Sequence, residues 1–267
     1  MMASLPPLNT LTRGAGPNTV LFLHGFMGAA RDWARMMEAL GEGYRCLAVD
    51  LPGHGASVGL PEAAYTMEGA ARMIADALDD ADIARCAVVG YSMGGRLALY
   101  FALHFPERCT QLLLESASPG LATEAERTAR RAVDEGRAVQ ILDDFEGFLE
   151  DWYRMPLFAS LARHEGLIES MQKARSRNAP VELTRSLRGM GTGRQPSLWS
   201  RLPALSMPTL VMAGALDGKF AEIAHLMAAH TQRIHAALIS DAGHIVHAER
   251  PTAYLSTLRT FLQHTAT

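Results

Sequence analysis

Apolar and amphipathic runs alternate along this chain. "TVLFLHG" (residues 19–25) is a short, continuous apolar run that stops at glycine. "DWARMMEALG" (32–41) repeats apolar residues at helical spacing and also stops at glycine. "YRCLAVDLPGHG" (44–55) predicts a strand running into a turn. In "YTMEGAARMIADALDDADI" (65–83), Met67, Ala70, Ala71, Ile74 and Leu78 recur every three or four residues, which predicts an amphipathic helix. "RCAVVG" (85–90) predicts a strand, and residues 93–105 a helix that ends before Pro106. Three further strand-like runs follow: "CTQLLLES" (109–116), "PTLVMAGALD" (208–217) and "IHAALISDAGH" (234–244). A last helix covers residues 251–263.

Strands that are apolar throughout, and do not alternate, are buried on both faces. With helices between them they predict an α/β fold, a mostly parallel central sheet covered on both sides. The rhythm breaks between residues 120 and 202. That segment has no strand run, several helical patterns and the aromatic cluster "FEGFLEDWYRMPLF". The expected organisation is a core of residues 1–119 and 203–267 with a helical cap, 120–202, inserted in it.

Composition narrows the function classes. The chain has 267 residues, 48% hydrophobic and 20% charged, enough for one large domain carrying an insertion. A net charge of −3 gives no global drive toward nucleic acid or anionic lipid. No apolar run approaches the length of a membrane span. The opening "MMASLPPLNTLTRGAG" lacks the cationic and apolar regions of a signal peptide. Cys46, Cys86 and Cys109 match no metal spacing and read as buried free thiols, which fits a reducing cytoplasm. The expectation is a cytoplasmic protein acting on a small molecule, with neither nucleic acid nor membrane as partner; its oligomeric state is open, and a monomer suffices.

"GYSMGG" matches G-x-S-x-G and lies between a predicted strand and a predicted helix, where a nucleophile elbow belongs. The glycines allow a sharp turn with Ser92 at its tip. A serine hydroxyl is inert at neutral pH unless a base takes its proton. The base is expected late in the chain, in the order Ser, then acid, then His. Asp217 ends one predicted strand and His244 follows the last. Asp241 and Glu115 compete with Asp217, and His247 competes with His244; the structural reading of His247 is a helix-start residue. The N–H groups of Phe26, after the first buried strand, and Met93, after Ser92, would form an oxyanion hole. His24 reads as a turn-stabilising residue, and His54 in "DLPGHGAS" receives no chemical role. An intact Ser, Asp and His argue against a non-catalytic binding module.

These features, over residues 19–120 and 203–263, resemble the α/β-hydrolase superfamily, whose fold alone names no reaction. Arg96 adds a distinguishing mark, because it lies one helical turn beyond Ser92. Its bland reading is an arginine paired with a carboxylate of the fold. Between Arg154 and Arg201, however, nine Arg or Lys face three Asp or Glu, so cap and elbow together suggest an anionic pocket. For most of the cap arginines a solvated helix face is the expected state.

The strings "VGYSMGGR", "SPGL", "DWYRMPLFASL", "ARSRN", "LRGMGTGRQPSLW" and "DGKF" resemble one branch of the superfamily, the 2-succinyl-6-hydroxy-2,4-cyclohexadiene-1-carboxylate synthases of menaquinone biosynthesis. The resemblance spans almost the whole chain, cap included. It implies a lyase that needs no cofactor or metal and eliminates pyruvate from 2-succinyl-5-enolpyruvyl-6-hydroxy-3-cyclohexene-1-carboxylate, a tricarboxylate, with Ser92, His244 and Asp217 abstracting a proton. It further implies anion-binding roles for Arg96, Arg130 and Arg175. Arg127 and Arg131 beside Arg130, and Arg177 beside Arg175, leave the register open by a few residues. Trp152 corresponds to a cap aromatic that packs on substrate, although a cap-core role is also open to it. Tyr91, Lys219 and Phe220 correspond to pocket residues. The alternative is a carboxylesterase or C–C bond hydrolase of the same fold acting on an anionic substrate.

Overall fold

The computed structural model describes residues 6–263; the outermost residues of the expected core, 1–5 and 264–267, lie outside the described residues. Seven strands form one sheet in the order β1-β3-β2-β4-β5-β6-β7. They are β1 (Thr10–Arg13), β2 (Asn18–Leu23), β3 (Tyr44–Val49), β4 (Cys86–Tyr91), β5 (Cys109–Glu115), β6 (Thr209–Gly214) and β7 (Ile234–Ile239). Among the described residues only β1 runs antiparallel, against β3, and the other neighbouring strands are parallel.

The continuous apolar strands are buried on both faces. Leu21, Leu23, Val88, Leu112 and Val211 point into one core layer, and Val20, Phe22, Val89, Leu113 and Met212 into the other. The first layer is closed by α2 (Met67–Asp80), α3 (Met93–His104) and α8 (Gly218–Ala228), the second by α1 (Ala34–Leu40) and α10 (Pro251–Gln263). Between β5 and β6 come α4 (Glu124–Asp143), α5 (Phe145–Arg154), α6 (Leu167–Arg175) and α7 (Pro180–Met190), and a short α9 (Val246–Glu249) precedes α10. Helix α4 starts with a Thr123–Glu126 capping box. Phe148, Leu149, Ile141, Leu183 and Leu187 give these inserted helices an apolar cluster of their own, which Met27 joins from the loop after β2.

The elements differ from the sequence expectations in four places. β1 lies in a stretch for which no strand is expected. α8 occupies residues for which no helix is expected. The expected helix at 32–41 begins as a 3₁₀ turn, Ala30–Trp33, before α1. The last two strands stop at Gly214 and Ile239, so Asp217 and His244 stand in loops beyond them. No helix among the described residues is long and apolar enough to cross a membrane.

Candidate active site

Parallel strands align their C-terminal ends, and the loops leaving β2, β4, β6 and β7 carry Phe26, Ser92, Asp217 and His244 to one edge of the sheet. Ser92 has φ 50° and ψ −109°, a left-handed conformation that an L-residue adopts only when its surroundings impose it. Those surroundings are tight. A Cβ added at Gly94 would lie 2.4 Å from the carbonyl oxygens of both Leu23 and His24, so only glycine lets α3 start against β2. The Ser92 N–H donates to the Glu115 carbonyl at 2.8 Å, and its own carbonyl accepts the first α3 bond, from Arg96 N–H at 2.9 Å.

His244 Nδ1–H donates to Asp217 Oδ2 at 2.7 Å, which leaves Nε2 as the acceptor for Ser92 Oγ–H at 3.2 Å. Both His244 and Asp217 are buried. The second Asp217 oxygen accepts the Phe220 N–H and so caps α8, which fixes the carboxylate by its own helix. The imidazole is ringed by Phe220, Tyr91 and Phe158, with centroids at 4.7, 5.6 and 5.8 Å. Met93 opens α3, so its N–H has no intrahelical partner and is free to face the cavity beside Phe26.

The competing residues stand elsewhere. His247 donates from Nδ1 and from its backbone N–H to Glu115, a fully buried carboxylate, and its ring packs on Trp33 at 4.5 Å. Asp241 is exposed and pairs with Arg250. His24 accepts the Leu51 N–H on Nε2 and donates from Nδ1 to the Gly25 carbonyl, which makes it a turn residue held neutral by burial.

A cavity of about 640 Å³ opens over Ser92 and is lined by Tyr91, Arg96, Arg130, Trp152, Arg175, Lys219 and Phe220 as well as by the Ser–His–Asp group. Arg127, Arg131 and Arg177 are not among its lining residues; Arg127 and Arg131 pair with Glu124, and Arg131 also donates to the Gly193 carbonyl. Arg96 is buried and donates to the Met190 carbonyl at 3.0 Å and Gln195 Oε1 at 3.2 Å, with no carboxylate in ion-pair range among the described residues. The bland ion-paired reading of Arg96 therefore does not hold. Burial, and then the neighbouring Arg130, lower its pKa to about 10. Arg175 is held by Asp32 at 2.6 Å and Arg130 by Asp134 at 2.7 Å. Trp152 lines the cavity and packs on Phe26 and Phe148.

A model of the α/β hydrolase fold matches residues 18–251. The 2-succinyl-6-hydroxy-2,4-cyclohexadiene-1-carboxylate synthase of Serratia proteamaculans is 34% identical over 247 residues, 91% of this chain and 92% of that one. The synthase of the same name from an Enterobacter species is 33% identical, covering 96% of each. The solved structure of MenH from S. aureus superposes with a TM-score of 0.92 at 32% identity, over 97% of this chain and 99% of that one. This chain belongs to the 2-succinyl-6-hydroxy-2,4-cyclohexadiene-1-carboxylate synthase family of α/β hydrolases. A second solved structure, a thermophilic esterase from Thermogutta terrifontis with malate bound, is 28% identical with a TM-score of 0.85, over 97% of this chain and 94% of that one.

Sequence reasoning missed four residues around this cavity: Arg137 and Phe158, which line it, and Asp134 and Gln195, which hold Arg130 and Arg96. A signal for two of them existed: Arg130, Asp134 and Arg137 recur at four and three residues, one face of α4.

Proposed function

We propose that this chain is the synthase of its family's name, eliminating pyruvate from the enolpyruvyl-cyclohexene tricarboxylate, and that residues 120–202 act as the cap of a core formed by 1–119 and 203–267. One observation carries the reading: a buried arginine without a carboxylate partner sits in the same cavity as a serine–histidine–aspartate group. An uncharged ester offers that guanidinium an acceptor but no counter-charge. A carboxylate relieves its desolvation, and each charged hydrogen bond contributes about 1.5–3 kcal/mol.

In this mechanism Ser92 Oγ, its proton passed to His244 Nε2, abstracts the hydrogen on the ring carbon bearing the succinyl ketone. That carbon is acidic because the ketone accepts the charge as an enolate. The electrons then form the 2,3 double bond, the 3,4 double bond moves to 4,5, and the C–O bond to the enolpyruvyl group breaks. The leaving enolate takes a proton and becomes pyruvate, and the imidazolium is the nearest donor. Asp217 keeps His244 in the tautomer this requires and stabilises its cation. The Phe26 and Met93 N–H groups hold the enolate-like oxygen. General-base action contributes about 10²–10⁴-fold, so orientation by Arg96, Arg130, Arg175 and Lys219 must supply much of the rest.

The malate-bound esterase supports a second reading, hydrolysis of an anionic ester by the same three residues. One assay separates the two: purified protein is given the enolpyruvyl substrate with lactate dehydrogenase coupling for pyruvate, and p-nitrophenyl acetate in parallel. Pyruvate release with negligible ester turnover is expected; fast ester turnover without pyruvate would overturn the lyase reading.

A further inference from the structure

We infer that Arg137 is a substrate-binding residue, forming with Arg130 a two-guanidinium seat for one carboxylate of the ligand. The inference rests on the anionic-substrate reading of the cavity. Arg130, Asp134 and Arg137 lie on one face of α4, and both arginines line the cavity over Ser92. Asp134 is buried and accepts Arg130 Nε–H at 2.7 Å, but Arg137 reaches it only at 3.6 Å. Among the described residues the remaining acceptor of Arg137 is the Met155 sulfur, also at 3.6 Å, which is a weak one. A single carboxylate is thus shared by two guanidiniums, and the second keeps most of its donor capacity unspent while 22% exposed.

An aromatic ring lies beside it. The Arg137 guanidinium carbon lies 5.2 Å from the centre of the Trp152 ring, and Trp152 lines the same cavity. At this distance the ring attracts the cation without taking up its N–H donors. By contrast Arg188, which does not line the cavity, spends its fork on Glu135 at 2.6 Å. Burial, with Arg130 nearby, lowers the pKa of Arg137, which fits a cation lacking a full counter-charge. A carboxylate placed between the two forks supplies that charge and accepts from both.

The test uses Arg137→Met and Arg137→Lys alongside wild type, with thermal unfolding to establish that each folds. Steady-state pyruvate release is measured with the enolpyruvyl substrate, and binding of succinate is measured by calorimetry. Arg137→Met is expected to raise KM about 10- to 100-fold with kcat within about threefold, and Arg137→Lys to recover part of the loss. Wild-type activity with an unchanged KM in Arg137→Met overturns the seat and leaves the proposed reaction standing. If wild type releases no pyruvate, the proposed reaction fails and the succinate titration decides the seat: binding weakened in Arg137→Met upholds it, and equal binding overturns it. If Arg137→Met does not fold, Arg137→Lys alone decides, an unchanged KM and unchanged succinate affinity overturning the seat.

Discussion

Replacing Arg96 with methionine should separate activity from stability. Burial lowers the guanidinium pKa from 12.5 to about 10. At about 1.4 kcal/mol per unit, the charged form is held about 3 kcal/mol above its solvated state. The folded pKa lies below the unfolded one, so this penalty is present in full below about pH 10. It is relieved only as pH rises from there toward 12.5. At neutral pH the substitution therefore removes the whole penalty. Against that, the Met190 carbonyl and Gln195 Oε1 each lose a donor, at about 1–3 kcal/mol apiece. The two contributions oppose each other, and the unfolding free energy from urea titration should stay within about 3 kcal/mol of wild type. Activity behaves differently. Losing one or two charged hydrogen bonds to a carboxylate lowers kcat/KM by about 10- to 150-fold for each bond, and misplacing the anion misplaces the hydrogen to be removed. A variant destabilised by more than about 3 kcal/mol, with kcat/KM unchanged, would mean that Arg96 braces the fold and binds nothing.

The elbow and the thiols give three shorter expectations. Ser92→Ala should lose at least about 10²-fold in kcat while its urea midpoint stays near wild type, and near-normal pyruvate release would move the base to another residue. Gly94→Ala forces a Cβ to within 2.4 Å of two carbonyl oxygens; it should cost about 1–3 kcal/mol in urea unfolding and lower kcat as Ser92 shifts, and a neutral result would show that the α3–β2 contact is slack. Cys46, Cys86 and Cys109 are free and buried, and burial raises the thiol pKa of Cys46 to about 11 and of Cys109 to about 12. At pH 8 none should react with Ellman's reagent in the native protein, and all three should react in guanidinium chloride; fast native labelling would contradict their burial.

The central sheet was legible because its strands are buried on both faces, and such strands announce themselves as unbroken apolar runs ending in glycine or aspartate. Ser92, Asp217 and His244 follow such runs, so their convergence could be read without coordinates. β1 could not be read the same way: its four residues are mostly exposed and carry no apolar stripe. α8 buries only Ala224 and Met227, too narrow a stripe for the pattern to stand out. The arginines of α4 were ambiguous for a different reason. Arg127, Arg130 and Arg131 are near neighbours, and which of them faces the cavity depends on the rotation of the helix. That rotation is set by Ala138 and Ile141 packing against α5 and α7, contacts between segments far apart in sequence. Arg137 follows from the same rotation, since it is two turns along from Arg130.

The net charge of −3 and the cationic cavity are compatible because they act over different distances. Ions in solution screen surface charge beyond about 8–10 Å, so the overall sign has little effect on a ligand already at the mouth. Arg96, Arg130, Arg137 and Arg175 line one cavity, and under the proposed function they act on the ligand at close range, where screening is weaker. The unliganded protein thus carries the burial penalty of Arg96 at neutral pH, and under the proposed function a bound anion offsets it. A neutral ester entering the same cavity would excise water from that guanidinium and return no counter-charge, so its binding is disfavoured before any chemistry begins. Under the proposed function, the same Ser–His–Asp geometry that could open an ester is thereby offered mainly to anions. For a tricarboxylate held at several points, the atom presented to Ser92 is chosen by where the carboxylates are gripped. Selection between elimination and hydrolysis then rests on the arginines around the triad, because the triad itself has the geometry for both.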